Sequence, residues 1–218
     1  PIPIIAIEHL PISFRLTRPP PTKTAFLSNL RLILDHHHWH RFALASHSYG
    51  SVPTTHVLRD PLLSPRVASV VLVDPVTLML HLPAVAHNFT RRAPRAANEW
   101  LLWYFASTDP GVAHCLGRHF FWRENILWHE DLLTPPKMDG GDDAEGEREK
   151  GWRAAVCLAG RDLIVDTAAV ARHLEAEGGG GGGGIDVLMF PHKDHAQVFD
   201  DPVARRQIVD LVVAYCSR

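Results

Sequence analysis

Apolar runs of strand length alternate with helix-like segments along most of this chain, and the alternation limits the possible folds more than any other feature. The runs are rich in valine, isoleucine, leucine and alanine, as expected for strands that are buried on both faces. Strands that alternate with helices predict a parallel sheet covered by helices on both sides. The predicted strands are residues 1–7, 42–45, 67–73, 154–159 and 185–190, and the predicted helices include 24–38, a segment ending near 59, 166–177 and 202–215.

The stretch from residue 78 to 150 interrupts this alternation. Its first part, up to residue 128, has a helical pattern with many aromatic side chains, whereas residues 139–150 are almost entirely glycine and charged residues. Such a polar segment is typical of a solvated loop. We therefore predict a core formed by residues 1–77 and 151–218, and a helical lid at 78–150 that includes the acidic loop. The glycine run at 178–184 is expected to be a surface spacer.

Composition excludes several classes of protein. The chain has 218 residues, of which 46% are hydrophobic and 21% are charged, and these values are typical of a folded globular domain. The net charge of −2 gives no reason to expect nucleic acid as a partner. We expect no membrane span, because no apolar stretch is long enough, and no cofactor, because no G-x-G-x-x-G motif follows a predicted strand. Three widely spaced cysteines favour an intracellular location over secretion.

The segment FALASHSYGS at residues 42–51 carries the strongest chemical signal. Ser48 has a small residue two positions away on each side, Ser46 and Gly50, and it lies between a predicted strand and a predicted helix. A nucleophilic serine on a tight strand-to-helix turn needs small neighbours at these positions, because the strained turn approaches the adjacent strand and helix closely. Ser48 is therefore the candidate nucleophile, at the carboxyl end of the sheet.

A nucleophilic serine needs a base, and the base needs an acid that orients it. His195 follows the last predicted strand and Asp162 follows the fourth, so both are expected at the same edge of the sheet as Ser48. The chain order serine, aspartate, histidine is typical of hydrolases with a nucleophile on such a turn and differs from both common protease orders. His192 and Asp74 also follow predicted strands, so each remains an alternative base or acid.

These segments resemble the α/β-hydrolase superfamily, in the SHSYGS turn, the VVLVDPV strand, the LAGRDLIVD acid segment and the PHKDHAQVF histidine segment. The similarity extends over most of the chain. It implies Ser48 as nucleophile, Asp162 as acid, His195 as general base and the backbone N–H of Tyr49 as one oxyanion donor. It favours His195 over His192, because small or polar residues follow the base in this family. The segments NFTRRAP and FFWRENILWHEDL are similar to the lid of fungal lipase-like members.

The resemblance also implies that the first strands of the family's sheet are missing from this chain. Residues 4–10 are similar to the strand that follows the oxyanion loop in the family, so the loop that donates the second oxyanion N–H is expected to be absent. Losing one such donor costs about 3–4 kcal/mol of transition-state stabilisation. We therefore expect weak activity and an unpaired edge of the sheet.

The function predicted from these residues is a serine hydrolase that cleaves carboxylic esters of lipids or other apolar acids. Trp100, Trp103 and Tyr104 lie three or four residues apart on one helical face, and we expect them to bind the substrate. A small-molecule or lipid ester is the expected partner, and the oligomeric state is left open. The alternative is a weakly active or inactive hydrolase-fold domain that serves as a binding or scaffold module.

No metal site is predicted from the histidine-rich segment. His36 and His40 are four residues apart and could share a helix face as metal ligands do, but no carboxylate-rich second motif accompanies them. We expect these side chains to lie on the surface at a helix end. Asp166 directly precedes a helical segment and is expected to be its N-terminal cap.

Overall fold

The computed structural model describes residues 2–13, 18–133, 152–177 and 184–216, and at its centre is a four-stranded sheet. Neighbouring strands pair in parallel throughout, so the predicted parallel sheet is confirmed. Four of the five predicted strands are present, within two residues of the predicted bounds. In chain order and in spatial order they are β1 at Phe42–His47, β2 at Val67–Val73, β3 at Arg153–Ala159 and β4 at Asp186–Phe190.

Helices connect and cover these strands. Alternate residues of β2 point to opposite faces of the sheet, so Val70 and Leu72 belong to one apolar core and Val71 and Val73 to another. Both faces are therefore buried, which explains the uninterrupted apolar strands. The α-helices of the described residues are α1 Lys23–His36, α2 Ser51–Leu58, α3 Ala84–Thr90, α4 Ala97–Leu102, α5 Pro110–Arg118, α6 Trp122–Asn125, α7 Glu130–Leu133, α8 Thr167–Glu177 and α9 Pro202–Cys216.

The predicted first strand is wrong for the described residues. Residues 2–9 have no regular secondary structure, and Ile4 is 84% exposed. A cavity of about 560 Å³ lies between residues 4–7 and β1, and no strand of the described residues pairs with the backbone of this segment. Pro3 in addition lacks the N–H that a ladder needs. Within the described part of the chain, β1 is consequently an edge strand.

The segment between β2 and β3 forms short helices from α3 to α7, with a π-helix at Trp103–Ser107 after α4. Its helical character agrees with the sequence pattern, while its separation as a lid remains a prediction. The predicted acidic loop at 139–150 lies outside the described residues, as do residues 178–183 of the glycine run. Across the described residues, no helix combines the length and the apolar character that crossing a membrane requires.

Candidate active site

Ser48 lies on a strained turn between β1 and α2. Its φ angle is +51°, which is rare for a residue with a side chain. The hydroxyl of Ser51 donates a hydrogen bond of 2.7 Å to the carbonyl of Ser48 and holds the turn in place. A Cβ at Gly50 would lie only 3.2 Å from the Cβ of Ser46. Ser46 and Gly50 meet across the turn, so larger side chains at these two positions would clash.

A continuous chain of hydrogen bonds joins Ser48, His195 and Asp162. Nδ1 of His195 lies 2.7 Å from Oδ2 of Asp162, and Nε2 of His195 lies 2.8 Å from Oγ of Ser48. A carboxylate only accepts hydrogen bonds, so Nδ1 carries the proton. In the neutral ring Nε2 is then an acceptor, and the Ser48 hydroxyl donates to it. The alternative base His192 is exposed, and His195 is the histidine bonded to Ser48.

Backbone groups hold the carboxylate of Asp162 through the oxygen that does not bond His195. Its Oδ1 accepts hydrogen bonds from the backbone N–H groups of Ile164 and Val165, at 2.7 and 2.9 Å. The side chain is completely buried, whereas that of His195 is 13% exposed. Asp162 is thus fixed against the ring, and its second oxygen is free to orient His195.

Asp74 is a second buried carboxylate beside this pair. It follows β2 directly, has a φ angle of +45° and is fully buried. Its Oδ1 accepts a hydrogen bond from Ala159 N–H at 2.7 Å, and its Oδ2 accepts one from Ala196 N–H at 3.1 Å. Asp74 therefore bonds the backbone next to His195, while Asp162 bonds the ring. Sequence reasoning considered Asp74 only as an alternative acid.

The carboxylates control the protonation of His195. Burial by itself lowers the pKa of the His195 imidazole, but the hydrogen bond to Asp162 and the charges of Asp162, Asp74 and Asp194 together raise this pKa above its ordinary value. Burial also raises the pKa of Asp74, against the opposing effects of His195 and the backbone N–H groups. The ring is accordingly a stronger base than an isolated imidazole.

His47, which precedes the nucleophile, is a residue of this site that sequence reasoning missed. Its ring centroid lies 5.2 Å from that of His195 and 5.1 Å from that of Phe199. Its Nε2 atom is buried and has no hydrogen-bond partner among the residues that the structure describes. Burial and the nearby His195 lower the pKa of His47 to about 4, so the ring is neutral at pH 7. The pattern of small residues around Ser48 contains no signal for this contact.

An apolar cavity of about 410 Å³ opens at Ser48 and His195. This volume lies within the range of about 300–1,000 Å³ that is usual for small-molecule sites. Its walls come from the loop after β2, from the helices between β2 and β3 and from the segment after β3. The apolar lining includes Val76, Val85, Phe89, Leu102, Phe120 and Ile164.

The predicted substrate-binding aromatics do not reach this cavity. Trp100 is 52% exposed, Trp103 is 40% exposed and Tyr104 is 67% exposed, and none of them lines it. The same helical segment instead presents Leu102 and Ala106, which are one turn apart, to the cavity. Trp100 and Trp103 contact each other with ring centroids 5.6 Å apart, outside the cavity, and a role of the three aromatics in substrate binding remains a prediction.

Tyr49 follows Ser48 within the turn at Ser48–Gly50. The role of its backbone N–H as an oxyanion donor remains a prediction. Its half-buried side chain lines the cavity, and its hydroxyl lies 3.4 Å from Sγ of Cys115 on α5. Burial raises the pKa of the Tyr49 phenol far above its usual range, so the side chain is neutral.

Side chains of the types that bind metal ions lie close together at the active site. Within the described residues, the cluster of three or more such side chains consists of Asp74, Asp162 and His195, whose donor atoms lie within 4.8 Å of one another. These groups already bond the backbone, each other and Ser48. His36 and His40 are exposed beside the end of α1, as the sequence suggested. Asp166 caps α8 by accepting a hydrogen bond of 3.0 Å from Ala169 N–H.

Known structures resemble this architecture, although no protein-family profile and no characterised sequence matches the chain. A thermophilic esterase from Thermogutta terrifontis is 15% identical, with a TM-score of 0.51 and coverage of 91% of this chain and 75% of the esterase. A variant of a meta-cleavage product hydrolase is 16% identical, with a TM-score of 0.50 and coverage of 91% and 73%. At such identities the likeness concerns the fold. The parallel sheet and its flanking helices therefore have the α/β-hydrolase fold, as the sequence resemblance predicts.

Proposed function

We propose that this protein is a serine hydrolase that cleaves carboxylic esters with apolar acyl groups. The observation that carries the proposal is the hydrogen-bonded series from Ser48 Oγ through His195 to Asp162, at the mouth of an apolar cavity. A serine hydroxyl becomes nucleophilic when a neutral imidazole accepts its proton and a carboxylate holds that imidazole. The fold that the chain shares with a thermophilic esterase is consistent with this chemistry.

In the proposed reaction, Ser48 Oγ attacks the ester carbonyl carbon while its proton moves to Nε2 of His195. Asp162 stabilises the imidazolium that forms, and the N–H of Tyr49 donates to the developing oxyanion. When the tetrahedral intermediate collapses, His195 returns the proton to the departing alcohol. His195 then takes a proton from water, which attacks the acyl group on Ser48. The acid leaves, and Ser48 regains its proton.

The apolar cavity supports an uncharged substrate. Ser48 and His195 provide polar groups in the cavity, while the remaining walls are almost entirely hydrocarbon. A charged acyl group would lose its hydration there without a partner, at a cost of several kcal/mol. We therefore propose aliphatic or aromatic esters as the substrate class.

Labelling with a fluorophosphonate tests the proposal, because the probe reacts with an activated serine. We expect labelling of the wild-type protein, its loss in Ser48→Ala and a strong reduction in His195→Gln. His192→Gln is the matched control, since this exposed histidine follows the same strand, and it should label as the wild type does. A folded wild-type protein that resists the probe would instead favour a non-catalytic binding or scaffold module.

A further inference from the structure

The side chain of Tyr49 separates two cavities. The first, at Ser48, has a volume of about 410 Å³. The second has a volume of about 390 Å³ and is lined by residues near the start of α1, by α2 and by His119, Phe121, Glu124 and Asn125. Among the described lining residues, Tyr49 is the only one that both cavities share. Its ring is consequently the wall between them.

Contacts on several sides hold this ring in position. The hydroxyl of Tyr49 lies 3.4 Å from Sγ of Cys115, which is fully buried. The ring centroid of Phe120 lies 6.1 Å away, and the ring of His9 lies at the same distance of 6.1 Å. The backbone of Tyr49 is fixed in the turn that carries Ser48. The wall is thus anchored at both its base and its tip.

One part of the second cavity is lined by apolar side chains. Phe26, Val52, Pro53 and Phe121 supply apolar surface to its lining, in addition to Tyr49 itself. Polar side chains also contribute to its lining, so the cavity is apolar only in part; they include His9, Lys23, His56, His119, Glu124 and Asn125. An acyl chain that passed the position of the Tyr49 ring would therefore meet further apolar surface.

We infer that Tyr49 sets the upper length of the acyl group that the enzyme accepts. This inference rests on the proposed ester hydrolase function. Short apolar acyl groups fit the first cavity, whereas longer chains meet the phenol ring. Removal of the ring would join the two cavities and admit them. The backbone N–H of Tyr49 is present with any side chain, so the side chain can change acyl selectivity without removing that donor.

The test compares kcat/KM for p-nitrophenyl butyrate and p-nitrophenyl laurate. We expect Tyr49→Ala to raise the laurate-to-butyrate ratio by about tenfold or more. Tyr49→Phe is the matched control, because it removes the hydroxyl that meets Cys115 but keeps the ring, and it should leave the ratio unchanged. If Tyr49→Ala does not fold, Tyr49→Leu replaces the planar ring by a smaller side chain and should shift the ratio in the same direction.

A second substitution shows where the extra chain lies. Thr24 is an exposed residue of α1 that lines the second cavity. Thr24→Trp in the Tyr49→Ala background should fill that cavity and return the ratio toward the wild-type value. If the double variant kept the full increase in the laurate-to-butyrate ratio, the acyl chain would lie elsewhere than in the second cavity, and the inference would be wrong.

Fluorophosphonate labelling separates the two possible failures. A wild-type protein that labels, together with an unchanged laurate-to-butyrate ratio in both Tyr49→Ala and Tyr49→Leu, would overturn the role of Tyr49 and leave the proposed hydrolase function intact. A folded wild-type protein that does not label would overturn the proposed function, and the inference with it.

Discussion

The carboxylate of Asp74 accepts a hydrogen bond of 3.1 Å from the backbone N–H of Ala196, the residue that follows His195. Ala196 has a φ angle of +67°, so the bond holds a left-handed residue that its side chain does not favour. The other oxygen of Asp74 bonds Ala159 N–H at the end of β3. Asp74 thus joins the histidine loop to the strand that precedes Asp162. We interpret it as a positioning residue.

Replacement of Asp74 by asparagine should lower the pKa of His195. The charge of Asp74 is one of the effects that raise this pKa, along with Asp162 and Asp194. Because the base must be neutral, activity rises as pH increases through this pKa, and the acid limb of the kcat/KM profile should move to lower pH in Asp74→Asn.

The lost carboxylate hydrogen bond in Asp74→Asn should also reduce the unfolding free energy by about 1–3 kcal/mol. A pH–rate profile and urea unfolding measure the two effects.

Asp162→Asn tests whether Asp162, which bonds the His195 ring, and Asp74, which bonds the neighbouring backbone, have different roles. It should reduce kcat on the order of 10⁴-fold, as expected when the wrong tautomer of the base is favoured. Asp74→Asn should lose far less at its own optimum pH. Equal losses in the two variants, or an acid limb that does not move in Asp74→Asn, would contradict the role assigned to Asp74.

Gly160 should not tolerate a side chain. A Cβ at this position would lie 2.7 Å from backbone atoms of Pro191, and Gly160 N–H donates a hydrogen bond of 2.8 Å to Phe190. Because both neighbours are backbone, Gly160→Ala must displace β3 from β4, and we expect a loss of about 1–3 kcal/mol in unfolding free energy. Urea unfolding measures the loss.

Gly117 provides the matched control for Gly160. It lies within α5, and a Cβ there would meet nothing within 4 Å. Gly117→Ala should therefore stabilise the protein by about 0.5–1 kcal/mol, since alanine loses less backbone entropy in a helix. A similar, small effect of both substitutions would show that the close approach at Gly160 relaxes without cost.

The exposed aromatics should contribute little to the hydrolysis of a soluble ester. The double variant Trp100→Ala, Trp103→Ala removes two rings that meet edge to face, with centroids 5.6 Å apart, outside the cavity. Its kcat/KM for p-nitrophenyl butyrate should stay within about twofold of wild type. Leu102→Ala, on the cavity side of the same segment, should lower it by about tenfold, because lost apolar contacts in a pocket are worth ~1–3 kcal/mol. A larger loss of kcat/KM in the double tryptophan variant than in Leu102→Ala would show that the aromatics contact the substrate.

Local patterns in the sequence were sufficient for most strands and for the neighbourhood of Ser48. Val67–Val73 is a continuous apolar run, and its predicted and observed bounds agree. Ser48, Asp162 and His195 could be grouped because each follows a strand of a parallel sheet, and parallel strands present their carboxyl ends at one edge. The proximity of these three residues could therefore be predicted without knowledge of side-chain packing.

The remaining features depend on contacts that no local pattern contains. Residues 2–7 have the composition of a strand, but a strand also needs a neighbour to bond, and the described sheet offers none there. Periodicity placed Trp100 and Trp103 on one face without saying which face meets the cavity. Asp74 reaches Ala159 and Ala196 across 85 and 122 positions of sequence. Such distant partners become visible only when the chain is folded.

The half-buried ring of His47 should make the stability of the protein depend on pH in the acid range. The pKa of His47 is lowered to about 4 in the folded protein, whereas an unfolded histidine has a pKa of about 6.5. The folded state therefore has a stability contribution that is complete above pH 6.5 and is lost as pH falls toward 4. In His47→Phe the ring remains and no proton binds, so this part of the acid destabilisation should disappear.

Urea unfolding at several pH values between 7 and 4 measures this effect as the difference between wild type and His47→Phe, which cancels the carboxylates common to both. The unfolding free energy of the variant should fall less steeply with decreasing pH. At neutral pH the variant should be at least as stable as wild type, because it removes a buried Nε2 atom that no described residue hydrogen-bonds. His192→Gln, which changes an exposed histidine, should follow the wild-type curve. Parallel curves for wild type and His47→Phe would mean that His47 takes up its proton in the folded protein as easily as in the unfolded chain.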